Sequence, residues 1–303
     1  MKPIVNLGIF VADAAFRAAR MPKMGETILG NGFALGPGGK GSNQSVASAM
    51  AGGNVHFITR LGDDDFAAMA RGIWQRAGVV PEVTVDRESF TGAAMIFLED
   101  ATGNNAIIVT PGAASRITPA DVEARASLIQ SAGIFMTQLE QPIPAAQRGL
   151  ELARAAGVTT ILNPAPAAPL PDAMIALCDY LTPNESEAEA LTGLPVTTVE
   201  EAKTAAAALL AKGAGAVIIT LGAQGALYHD GTITVHTPVV TAGKVVDTTG
   251  AGDAFNGGLA VALAEGMPID IALRFASATA GISVTRPGTA GSMPSRSEIE
   301  ALI

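Results

Sequence analysis

Short runs of β-branched and apolar residues alternate with alanine-rich stretches along most of this chain. AGIFMTQL (132–139), TTILNPA (159–165), YLTPN (180–184) and AVIITLG (216–222) read as strands. IPAAQRGLELARAAG (143–157) and VEEAKTAAAALLAKGAG (199–215) read as helices whose closing glycines suit a left-handed cap. Strands this uniformly apolar, joined by helices, predict an α/β fold with a central, mostly parallel sheet covered on both faces. In such sheets ligands bind beyond the carboxyl ends of the strands. The expectation is one domain over residues 1–303, long enough for a large α/β unit.

Two stretches leave this rhythm. ETILGNGFALGPG (26–38) and TGAAMIFLEDATGNNAIIVT (91–110) read as short strands with Gly and Asn turns, the second a hairpin around Gly103 and Asn104. They predict a small β-rich lid, formed by residues 14–38 and 91–110, over the ligand edge of the sheet. The opening MKPIVNLGIFVADAAFR holds an apolar run too short for a secretion signal and reads as a first strand.

Composition narrows the partners. A formal net charge of −9, with 19 basic residues scattered among 28 acidic ones, argues against nucleic acid and for a small-molecule ligand. No stretch has the ~18 to 20 uncharged apolar residues of a membrane helix. Cys178 is the only cysteine, so no internal disulfide forms and a cytoplasmic location is expected. His56, His229 and His236 stand apart from one another and from Cys178, which predicts no metal cluster. Asp63, Asp64 and Asp65 lack the pattern of a calcium loop and read as a turn and helix start, and Trp74 as a core anchor.

Two glycine-rich turns carry the chemistry. GPGGKGSNQSVASAMAGG (36–53) contains the spacing G-x-G-x-x-G at Gly36, Gly38 and Gly41, but no buried opening strand leads into it, so a dinucleotide fingerprint is a poor match. A Walker loop fails because Gly41 follows Lys40. What remains is either a turn packing backbone on backbone, or backbone amides with Lys40, Ser42 and Asn43 gathered where a helix begins near Asn43, holding a polyhydroxylated or anionic ligand. KVVDTTGAGDAFNGGLAVAL (244–263) reads as strand, turn and helix, with Phe255, Leu259, Ala262 and Leu263 on its apolar face. Gly250, Ala251 and Gly252 would leave unpaired amides at the positive end of that helix, an anion hole without side-chain obstruction. Asp253 at its edge is either a first-turn acid satisfying the helix dipole or a base that takes a proton from a hydroxyl attacking a phosphoryl group.

These residues resemble the ribokinase-like carbohydrate kinases. GGKGSNQSVASA (38–49) resembles the first signature of that family and DTTGAGDAF (247–255) the second. GETILG, RLGDDDF, QLEQP, NPAPA, LTPNESEAEALTG, ITLGAQG and VTRPGTAGSMPSR follow in the family's order, so the likeness spans nearly the whole chain. The resemblance implies an ATP-dependent kinase that phosphorylates the primary hydroxyl of a pentose, D-ribose first. Asp253 resembles the catalytic base, with Gly250, Ala251 and Gly252 as the anion hole. Asp13, Gly39, Lys40, Asn43 and Glu140 resemble sugar-binding positions. Asn184 and Glu187 resemble the motif that positions Mg²⁺ and phosphate, and Thr220, Gly222, Gly225 and Ser277 the nucleotide site. Asp247, Thr249, Ser283, Arg286, Gly288 and Ser292 resemble loops holding an activating potassium ion, and pairing of the lid with its copy implies a homodimer.

One position departs from the pattern. The family places Asn two residues before the lid's Asp, and here that residue is Val11, which makes no hydrogen bond to a sugar hydroxyl. The alternative acceptors are therefore 2-deoxyribose, a keto-deoxy sugar acid or a nucleoside. A different class, a catalytically idle sugar or nucleotide sensor, is disfavoured because Asp253 and the small-residue turn are both present.

Overall fold

The computed structural model describes all 303 residues. Its large sheet contains β1 (Ile4–Leu7), β4 (Val55–Leu61), β5 (Val80–Val85), β8 (Ile134–Thr137), β9 (Thr159–Leu162), β10 (Tyr180–Leu181), β11 (Ala216–Thr220), β12 (Ala226–His229) and β13 (Thr234–Thr237). The small sheet contains β2 (Val11–Ala18), β3 (Gly32–Gly38), β6 (Thr91–Glu99) and β7 (Asn105–Gly112). The large sheet has the order β13-β12-β11-β10-β9-β8-β1-β4-β5 and is parallel except at β12 and β13. This is the mostly parallel α/β sheet expected from the strand and helix rhythm. No helix is long and apolar enough to cross a membrane.

Alternate residues of each parallel strand feed opposite cores. Ile4, Phe57, Met136 and Ile218 face the helices Lys40–Met50, Ala251–Ala264 and Ile269–Ser283, whereas Val5, Ile58, Phe135 and Val217 face Ile143–Ala155 and Val199–Ala211. Both faces are thereby covered, which is why these strands read as unbroken apolar runs. Trp74 sits in the first core at 0% exposure, edge-on to Phe57 with ring centroids 5.2 Å apart, and its indole N–H donates to Ser42 Oγ at 2.9 Å. Such aromatic pairs add ~0.5 to 1.5 kcal/mol beyond burial. Cys178 is buried, and burial pushes its thiol up to about 12, so it is an inert packing residue. Asp64 caps the helix Asp65–Ala77 by accepting from the Ala67 amide, as the acidic turn suggested.

The helix Ala251–Ala264 is buried on every side from Asp253 to Ala262. Two consecutive glycines make this possible. A Cβ on Gly257 would stand 2.4 Å from Ala47 Cβ, and one on Gly258 would stand 2.5 Å from Thr279 Oγ1, so the helix passes between two neighbours at backbone distance.

The structure corrects four expectations. The opening apolar run is two strands in two sheets: at Gly8 the backbone presses against Gly41, a Cβ there falling 2.7 Å from its Cα, and the chain then leaves the large sheet for β2. Within the lid segments, strand structure begins at Val11 rather than at residue 14, and residues 26–31 are irregular. The helix placed near Asn43 starts at Lys40, capped by Gly39. Residues 244–247 form no strand, because the amides of Val246 and Asp247 converge on one carbonyl, that of Val284, at 2.8 and 3.2 Å, and a ladder is impossible.

Candidate active site

The carboxyl ends of β9, β10 and β11 and the first turns of three helices meet at one polar cavity of about 160 Å³, bordered by Lys40, Asn163, Asn184, Glu187, Thr220 and Gly250 through Asp253. Asn184 and Thr220 are joined by an isolated parallel bridge, which sets the NESE turn beside the end of β11 at Thr220. A second cavity of about 660 Å³ adjoins the first and shares Asn184, Thr220, Ala251 and Gly252 with it. Its walls include Gly222, Gly225, Val239, Val245, Phe255 and Ser277, an apolar setting for a flat base with a polar end toward the first cavity. Val245 and Val246, read as a strand, are 56% and 58% exposed, and Val245 lines this opening.

Asp253 is 6% exposed and each of its oxygens has one donor: Asn43 Nδ2 on Oδ2 and Gln44 Nε2 on Oδ1, both at 3.0 Å. Burial raises its pKa, while Lys40, Asn43 and Gln44 pull it down. Gly250 caps the helix at φ 79, the left-handed region, and a Cβ on Gly252 would meet nothing within 4 Å. The first is needed for the turn, the second leaves room above the helix end. Of the three amides assigned to the anion hole, Ala251 N–H donates to the Thr248 carbonyl at 3.2 Å. The amides of Gly250, Gly252 and Asp253 have no protein partner, so the available donors extend to Asp253 and skip Ala251.

Lys40 stands among carboxylates. Burial lowers its pKa, and Asp253, Glu140 and Glu187 outweigh that and raise it, so it is an ammonium. Burial pushes Glu140 up to about 7 and Asp13 up to about 6. Glu140 Oε2 accepts from the Lys40 amide at 2.7 Å, and Asp13 reaches in from β2, its carboxylate lying against Gly38. Gly39 lies between them at the start of the Lys40 helix. Ser42 is not a ligand group: its hydroxyl accepts from Trp74 and its amide donates to Ile9. Asn43 is different, because its Oδ1 is buried without a partner and can accept from a hydroxyl.

Glu187 caps its own helix by accepting from the Asn184 amide at 2.8 Å through one oxygen, and burial raises its pKa. No group of three His, Cys, Asp or Glu side chains converges at one point. A single carboxylate with nearby phosphates suits Mg²⁺, which keeps most of its water. Asp247 ties two loops: its oxygens accept from the amides of Thr249 and Gly288, both at 2.9 Å, and these outweigh burial to hold its pKa low. The hydroxyls of Ser283 and Ser292 donate to the carbonyls of Ala280 and Thr289, and Arg286 pairs with Glu298.

Gln44, Asn163, Thr182 and Asn256 escaped the sequence reading. Gln44 and Asn163 lie inside quoted motifs, and Asn256 follows Asp253 by three positions. Their signal was an amide or hydroxyl set within runs otherwise bound for the core.

A model of the pfkB family of carbohydrate kinases matches residues 1–296. The chain is 39% identical over 306 residues to ribokinase of Bacillus subtilis (strain 168), covering 100% of each chain. It is 35% identical over 295 residues to deoxyribokinase of Salmonella typhi, covering 96% of this chain and 95% of that one. Among solved structures it is similar to Arabidopsis thaliana ribokinase complexed with ribose and ATP, with a TM-score of 0.92 and 32% identity over 99% of this chain and 98% of the other.

The raised acid has a consequence for stability. An acid whose folded pKa lies at about 7 rather than 4.5 takes up a proton on folding, so its stabilising contribution is complete below 4.5 and is lost as pH rises through 7. Glu140→Gln keeps a carbonyl for the Lys40 amide and has no charge to bury. Its Tm advantage over the parent should therefore grow between about pH 5 and about pH 8. A pH-independent difference in thermal denaturation contradicts this.

Proposed function

The chain belongs to the pfkB family of carbohydrate kinases, and we propose that it transfers the γ-phosphoryl group of ATP to the primary hydroxyl of a pentose, D-ribose first. The observation that carries this reading is Asp253: buried, held by two amide donors, and next to the free amides of its own residue and Gly252. Asp253 takes the hydroxyl proton, and the two amides with Lys40 hold the oxygens of the phosphoryl group in flight. Asp13, Gly39, Lys40, Asn43 and Glu140 bind the sugar, with Asn43 Oδ1 as the waiting acceptor. The nucleotide base enters the larger cavity, lined by Gly222, Gly225 and Ser277, and its phosphates reach Thr220 and Asn184. Glu187 and Asn184 would hold Mg²⁺ through water. When bound, the ion draws charge from the phosphates.

The proposal extends to K⁺ on the loops carrying Asp247, Thr249, Ser283, Arg286, Gly288 and Ser292. Backbone carbonyls would be its ligands, because the Asp247 carboxylate and both serine hydroxyls are already engaged. Replacing K⁺ by Na⁺ in the assay should slow turnover. The small sheet acts as the lid, excluding water that competes as acceptor. Its register puts Leu35, Ala14, Met95 and Ile108 in one row and Phe33, Phe16 and Phe97 in the next, on the face opposite Asp13. Phe33 is 63% and Ile108 61% exposed, and a second copy is the proposed cover, giving a homodimer in the cytoplasm. Phe16→Asp should shift sedimentation toward monomer; a parent that already sediments as a monomer overturns the dimer.

A second acceptor is favoured by Val11. It is 5% exposed and on the same face of β2 as Asp13, so an apolar side chain stands where it meets the sugar. A sugar lacking a hydroxyl there, such as 2-deoxyribose, loses nothing to it.

Asp253→Asn should lower kcat by at least ~100-fold while nucleotide affinity stays within about twofold. Near-parental turnover in that variant rules out Asp253 as the base. Val11→Asn should raise the ribose to 2-deoxyribose ratio of kcat/KM by ~10-fold or more, the scale of one recovered hydrogen bond in a buried site. An unchanged ratio removes Val11 from specificity.

A further inference from the structure

We propose that Gln44 is a positioning residue for the catalytic base, holding the Asp253 carboxylate ionised and aimed at the acceptor hydroxyl without touching any substrate. The proposal rests on Asp253 being the base. Gln44 is 0% exposed, one turn into the helix Lys40–Met50, so it has no access to either ligand. Its Nε2 donates to Asp253 Oδ1 and to Asn163 Oδ1, both at 3.0 Å, and its Oε1 accepts from Gln138 Nε2 at 2.6 Å.

The direction of this amide is locked from both ends. Gln138 Nε2 also donates to Asn6 Oδ1 at 3.0 Å, and Asn6 Nδ2 donates to the Gly41 carbonyl and Ser45 Oγ. Asn163 Nδ2 donates to the Thr182 carbonyl at 2.8 Å. Were Gln44 reversed, its oxygen would face two acceptor oxygens and its nitrogen would face a nitrogen that already donates. The chain of amides therefore always presents N–H to Asp253. Asn43 also donates to Asp253, but its other atom is open to the sugar, so its geometry is shared with the ligand. Gln44 is the donor whose geometry the ligand does not alter.

The same network fixes the phosphoryl site. Thr182 Oγ1 donates to Asn256 Oδ1 at 2.6 Å, and Asn256 Nδ2 donates to the Gly252 carbonyl at 2.9 Å. Base and anion hole are thus referred to one residue at the end of β10. The charged groups facing Asp253 are Lys40 from the helix that carries Gln44, which favours the ionised form, and Glu140 and Glu187, whose charges couple unfavourably with it; Asp13 couples to Glu140. With carboxylates on several sides, a fixed neutral donor is what keeps the base free of a proton without adding charge.

The test is the pH profile of kcat/KM for the sugar in Gln44→Met and Gln44→Glu. Glu keeps the volume and the acceptor for Gln138, so it guards against a variant that fails through cavity formation alone. Activity requires the ionised base, so a raised pKa moves the acid limb to higher pH. The limb should move up by about one pH unit in Gln44→Met, the scale of one charge-assisted hydrogen bond, and further in Gln44→Glu, where two carboxyl groups share the space. Nucleotide Kd should stay within about twofold in both, since the larger cavity is untouched. Folded, nucleotide-binding variants whose acid limb matches the parent overturn the proposal, as does a loss of rate equal at every pH. Asp253→Asn separates the two readings: turnover retained there refutes the base itself, whereas an inactive Asp253→Asn with unmoved Gln44 profiles refutes only the positioning role.

Discussion

The passage of the helix Ala251–Ala264 between two neighbours governs this molecule. At Gly257 a Cβ would lie 2.4 Å from Ala47 Cβ and 2.9 Å from the Ser48 amide, and no side chain is tolerated without moving one helix from the other. That closeness brings Asn43 and Gln44 within 3.0 Å of Asp253, although they precede it by 210 and 209 positions in sequence. A bulkier residue would part the helices and leave the carboxylate buried without donors. The contact therefore decides the packing and the chemistry together.

Burial and charge then work against one another around Lys40. Asp13, Glu140, Glu187 and Asp253 each have pKa values raised by desolvation, and only one ammonium stands among them. In a dry interior such a set favours neutralisation, so the fold supplies fixed amides from Asn43, Gln44, Asn184 and the Lys40 backbone. The free amides of Gly252 and Asp253 sit at the positive end of the central helix, where an anion completes what the protein leaves open. The excess of carboxylates on one side and the unpaired amides on the other divide the cleft into an acidic half and a half that offers donors to an anion.

Much of this was legible in residue order. The parallel sheet followed from strands such as AVIITLG, whose residues are apolar on both faces because both faces are covered. Asp253 and the small residues before it were legible because a helix start with free amides requires them. The first strand was misjudged, since nothing local marks Gly8 as the point where backbone meets the Gly41 backbone. Ser42 was misjudged as a ligand group because its partner, Trp74, lies 32 positions away. Ala251 was assigned a free amide that a local turn to Thr248 occupies. The Asn6, Gln138, Gln44 and Asn163 chain was invisible, as each link joins a different strand end or helix.

The sequence by itself determined the periodicities, the turns that only glycine permits and the residue types able to move a proton or hold an anion. These depend on spacings of a few residues and on side-chain chemistry, which local order carries in full. Tertiary structure decided which of those groups are desolvated, which amides are already engaged and which way each buried amide points. Those properties arise from neighbours distant along the chain, because burial and hydrogen bonding are properties of a position in space.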